Sequence, residues 1–116
     1  MINHEMLRWR LEELSSREEQ ERLWLGESEG EMSSFTEAIC GLFDDAGLTR
    51  AIESNFLQKN YSEAFCRKVN ELDRTINSIP ENSSPREIID HPRMEQIRIL
   101  ASELLDLFSQ KDPTLK

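Results

Sequence analysis

The apolar residues between positions 65 and 79 constrain this chain more than any other feature. Phe65, Val69, Leu72, Ile76 and Ile79 recur in alternating steps of four and three over two full heptads. A helix puts such a set on one side, whereas a strand would scatter it over both faces. The residues between them, Arg67, Lys68, Asn70, Glu71, Asp73 and Arg74, suit solvent. Helical spacing returns in three other places. Leu7, Leu11 and Leu14 form one stripe. Phe35, Ala38, Ile39, Leu42, Phe43 and Ala46 form another. Met94, Ile97, Leu100, Ala101, Leu104, Leu105 and Phe108 form the broadest, widened further by Ile99 and Leu107. Gly and Pro number only four each, and strand-like β-branched runs are absent. The chain is predicted to be all-α. It reads as a single compact domain over 1–116, a bundle of five to six helices with the apolar C-terminal helix at the centre.

Start and stop signals divide the chain. A first helix is expected over 3–14. Ser16 with Glu19 three residues on is a capping-box pattern, so Ser15-Ser16 either breaks this helix or bends it. Ser34 with Glu37, Ser62 with Glu63, and Ser84-Pro85-Arg86-Glu87 mark three later starts. Gly47 reads as a left-handed helix stop, with Leu48 folding back, and Thr49 as the cap of a short helix to about Leu57. His91-Pro92 interrupts the helix begun at Ser84, with Asp90 as a candidate new cap. Residues 26–33 are expected to be a mobile acidic loop, 80–84 a second loop, and 110–116 a frayed tail.

Charge narrows the function. The formal net charge is −9. The excess is uneven: residues 1–31 carry nine acids against four bases, while residues 61–80 carry three of each. Such a field repels phosphate and attracts basic surfaces, so a basic protein partner is expected and nucleic acid is not. The longest apolar run is three residues, as in Leu23-Trp24-Leu25, so no membrane span is expected. The N-terminus has no basic n-region and no apolar h-region, and Cys40 and Cys66 form no Cys-x-x-Cys pair. Both point to a cytoplasmic protein with reduced cysteines.

No nucleophile motif, phosphate loop or metal-ligand spacing stands out, and neither a cofactor nor a metal is expected. His4 and His91 lack a second histidine at ligand spacing. The sharper feature is on the first helix. Ile2, Met6 and Trp9 form a second apolar stripe opposite the leucines, and Trp24 joins it if the helix is continuous. Such a stripe either packs in the core or forms an interface anchored by tryptophan. The candidate partner-binding set is Trp9, Glu12, Glu13, Glu18, Glu19, Glu21, Trp24, Glu27, Glu29 and Glu31. The expected role is a non-catalytic interaction module, most concretely an immunity-type inhibitor that neutralises a basic toxin or nuclease. Two alternatives stand beside it. All-helical nucleotide pyrophosphohydrolases hold Mg²⁺ with Glu-x-x-Glu on one helix and Glu-x-x-Asp on the next. Glu18-x-x-Glu21 is similar to the first half, but Glu87-x-x-Asp90 and Glu103-x-x-Asp106 lie far downstream. The other alternative is a homodimeric adaptor, joined through the 65–79 seam or the second stripe of the first helix.

Overall fold

A computed structural model describes residues 2–26, 33–80 and 82–111. All regular structure in them is helical. The elements are α1 (His4–Ser15), α2 (Arg17–Trp24), α3 (Phe35–Cys40), α4 (Leu48–Glu53), α5 (Phe56–Asn60), α6 (Glu63–Asn77), α7 (Pro85–Ile89) and α8 (Pro92–Lys111). A π-helical turn, Gly41–Asp45, continues α3. The all-α bundle is as expected, but it is cut into more and shorter pieces. One cut is at Asn55, whose left-handed φ of 64° splits the segment after Gly47 in two. Another is at Ser16, which is extended and ends α1 completely.

Local chemistry explains most helix starts. The side chains of Ser16, Ser34, Ser62 and Ser84 each accept a hydrogen bond from the backbone N–H three residues on. At Ser84 the box closes: the Glu87 carboxylate accepts from the Ser84 N–H at 2.8 Å. These bonds hold the Glu87 carboxyl below its ordinary range. Gly47 takes the left-handed conformation at φ 93°, and Leu48 is fully buried. Two expected caps differ. Thr49 lies inside α4, whose N-cap is Gly47. At α8 the capping group is His91, not Asp90. The His91 Nδ1 accepts from the Arg93 N–H at 3.0 Å, and Asp90 points to Arg17 instead.

α8 packs against α1 on one side and α6 on the other, as its breadth of apolar residues requires. Leu7, Leu11, Leu14, Val69, Leu72, Met94, Ile97, Leu104 and Phe108 are all fully buried. Each such side chain contributes about 1.5–3 kcal/mol relative to exposure. The predicted seam is part of this core: Phe65, Val69, Leu72 and Ile76 on α6, and Ile79 just past its end, are buried within the chain. The seam is therefore occupied, and a homodimer would have to use another face. α8 continues to Lys111, past the predicted start of fraying. Residues 27–32 of the predicted acidic loop, position 81 of the second loop and residues 112–116 of the tail lie outside the described residues.

A buried polar joint locks α1, α2 and α8. Gln20 is fully buried. Its Nε2 donates to the Glu13 and Leu14 carbonyls at 3.2 and 2.8 Å, satisfying the end of α1. Its Oε1 accepts from Arg98 Nη1 at 2.8 Å. Arg98 is also buried and donates to the Ile89 carbonyl and to Glu95 Oε2. Among the described residues no helix is long and apolar enough to cross a membrane.

Candidate functional site

The two tryptophans, read as one stripe, go to opposite environments. The break at Ser16 turns α2 away from the line of α1, and Trp24 swings into the core. Only 6% of Trp24 is exposed, its ring meets Phe35 edge-on, and its Nε1 donates to Glu13 Oε2 at 2.7 Å. Trp9 is 50% exposed. Ile2 and Met6, the other members of the stripe, pack partly against the core.

Glu13 is the second residue of the candidate set that the fold takes inside. It is 2% exposed, and its Oε1 accepts from Arg10 Nη1 at 2.8 Å. One carboxylate thus balances a buried guanidinium and satisfies a buried indole. Arg10 reaches this position because Gly41 leaves room. A Cβ at Gly41 would stand 2.3 Å from Arg10 Nε. The other side of the Arg10 guanidinium lies over the Trp9 ring, 4.1 Å from its centroid. Glu13 and Trp24 therefore belong to the interior, and of the candidate set they are not surface residues.

The remaining acids separate into paired and unpaired groups. Glu19 is bridged to Arg22 at 2.7 Å. Glu21 is bridged to Arg17 at 3.5 Å and to Arg86 of α7 at 3.4 Å. Arg17 and Arg86 also reach Asp90, which caps the end of α7. The fold does bring Glu18-x-x-Glu21 and Glu87-x-x-Asp90 onto neighbouring helices. Between Glu21 and Asp90, however, the positive charge is supplied by two arginines of the chain itself. Glu103 of the other Glu-x-x-Asp pair is bridged to Lys68 at 3.0 Å. Among the described residues no group of three or more His, Cys, Asp or Glu is placed to hold a metal ion. Glu12 and Glu18 are exposed, and their carboxylates make no hydrogen bond or ion pair with a described residue. Glu27, Glu29 and Glu31 lie outside the described residues.

What sits around Trp9 is an open hollow of about 380 Å³ on α1, lined by His4, Glu5, Arg8, Trp9 and Glu12. Glu5 and Glu12 stand four residues before and three after Trp9, which places them beside it on one helix face. Arg8 is held over the Phe108 ring, 5.5 Å from its centroid. Glu5 was outside the candidate set, although its spacing from Trp9 already marked it as a neighbour. His4 meets Phe108 edge-on and comes within 3.4 Å of the Tyr61 hydroxyl, so it serves the packing of α1 on the core.

Both cysteines are free. Cys66 is partly buried and donates to the Leu57 carbonyl, and burial pushes its thiol pKa up. Cys40 is exposed at the edge of a groove lined by Phe35, Ile39, Ile76 and Ile79.

No protein-family model matches the chain, and no match was found among curated proteins or solved structures.

The exposure of Trp9 leads to a direct expectation. Trp9→Ala should change unfolding free energy by less than about 1 kcal/mol, against about 3–5 kcal/mol for a tryptophan removed from a core. Urea unfolding followed by circular dichroism measures this. A loss in the core range would return Trp9 to a structural role.

Proposed function

We propose that this chain is a non-catalytic interaction protein whose acidic surface meets a basic protein. The most concrete form is an immunity-type inhibitor that neutralises a basic toxin or nuclease in the cytoplasm. One observation carries this reading: a half-exposed tryptophan beside the Glu5 and Glu12 carboxylates, which make no hydrogen bond or ion pair with a described residue, on a helix otherwise firmly seated in the core. Tryptophan on a rigid, charge-ringed surface is a favoured binding anchor. The net charge of −9 supports fast, salt-sensitive association with a basic partner and opposes binding to phosphate backbones. The pairing of Glu19, Glu21, Asp90 and Glu103 with basic side chains removes support from the hydrolase alternative.

The test is capture of a partner from the host cell with the wild-type protein and with a Glu12→Lys/Glu18→Lys variant. The expected result is a basic protein retained by the first. The variant should associate about tenfold more slowly at low salt, with its own stability changed by less than about 0.5 kcal/mol. Equal association rates for the two would remove this surface from the interface. Tight, saturable Mg²⁺ binding by calorimetry would replace the reading with the hydrolase.

A further inference from the structure

We propose that the hollow beside Trp9 seats one arginine side chain of the basic partner. The inference rests on the reading that the partner is basic, and it names the chemistry of contact. One face of the Trp9 ring is already taken by a guanidinium, that of Arg10, at 4.1 Å. Arg10 does not line the hollow, which lies on the side of the indole bordered by His4, Glu5, Arg8 and Glu12. Half of the residue remains open to solvent.

Indole is the best aromatic platform for a cation, and guanidinium stacks on it more readily than ammonium does. An arginine entering the hollow meets that platform and the Glu5 and Glu12 carboxylates together. Neither carboxylate makes a hydrogen bond or ion pair with a described residue. Stacking leaves the edge of the guanidinium free, and its fork of donors matches a carboxylate at that edge. The two cationic side chains would lie on opposite faces of the ring. The carboxylates on the open side offset their repulsion. Arg8, the basic residue in the lining, is held over Phe108.

The probe is an uncharged-ended hexa-arginine peptide, with hexa-lysine as the comparison. Binding is followed at low salt through the indole N–H resonances of ¹⁵N-labelled protein. Trp9 and Trp24 each give one such resonance. The Trp9 signal should move saturably, and the Trp24 signal, buried and bonded to Glu13, should stay. Glu5→Gln/Glu12→Gln should weaken hexa-arginine binding about tenfold, and Asp44→Asn/Asp45→Asn, acids on the π-turn, less than about twofold.

Equal weakening by the two double variants, or a bound peptide that leaves the Trp9 signal in place, would overturn the slot. The basic-partner reading would then stand on the general field. Equal affinity and an equal Trp9 shift with hexa-lysine would overturn the assignment to guanidinium. Absence of any binding would overturn the slot and count against the basic-partner reading as well.

Discussion

Glu13→Ala should destabilise the protein by about 3–5 kcal/mol, the range for removing one partner of a buried ion pair. The size follows from what the carboxylate holds. Arg10 is 9% exposed and Trp24 6%, and both donate to Glu13, at 2.8 and 2.7 Å. Truncation leaves a guanidinium and an indole N–H without their acceptor. Ser33 Oγ, at 3.3 Å from Arg10 Nη1, is a neutral and longer contact that does not replace a carboxylate. Arg10 has little freedom to turn outward, because Trp9 covers one side and Gly41 approaches the other. A loss of this size is a large fraction of the stability of a small domain. Urea unfolding measures it, with Glu12→Ala as the exposed neighbour expected within about 0.5 kcal/mol of wild type. If the two variants unfold alike, the buried triad of Arg10, Glu13 and Trp24 contributes nothing to stability.

The second large effect is at the joint of α1, α2 and α8. Gln20→Leu should cost about 2–4 kcal/mol, because it strips hydrogen bonds from several buried groups at once. The Glu13 and Leu14 carbonyls lose their donor, and Arg98 loses the Gln20 amide oxygen. Part of this cost arises from the charge left under-satisfied on Arg98. Combining Gln20→Leu with Arg98→Met should therefore be less damaging than the sum of the single changes, by about 1–3 kcal/mol. A double-mutant cycle measures the coupling. Strict additivity would show that the Gln20–Arg98 contact carries no energy.

The boundary between what could be read and what could not follows sequence distance. Ser16, Ser34, Ser62 and Ser84 were legible as caps because each bonds a group three residues away. The seam of α6 and the breadth of α8 were legible because burial at helical spacing leaves a periodic pattern. Gln20 and Arg98 were not, since their bond joins positions 78 residues apart and nothing near either residue announces it. Glu13 looked like one acid among many on α1. Its burial depends on the angle at which α2 leaves Ser16 and on the space that Gly41 leaves for Arg10.

The acidic surface changes for the same reason. Glu19 and Glu21 remain acids on a helix, but Arg22, Arg17 and Arg86 take up their charge. Arg86 comes from α7, and its arrival there is a matter of packing. The Glu12 and Glu18 carboxylates have no hydrogen-bond or ion-pair partner among the described residues, and Glu5 joins them because it borders the same hollow as Trp9.

Helical class, most helix starts and the apolar seams of the long helices were determined by the sequence itself, because capping and amphipathic spacing act within a few residues. The choice between Trp9 and Trp24 was made only by tertiary structure. Trp9 stands between Arg8 and Arg10 and Trp24 between Leu23 and Leu25, yet on one continuous helix both would fall on the same stripe. The break at Ser16 rotates one of them onto a buried carboxylate and leaves the other standing in solvent. Helical spacing alone does not decide which of the two is buried, so the interior anchor and the exposed one separate only when the helices pack.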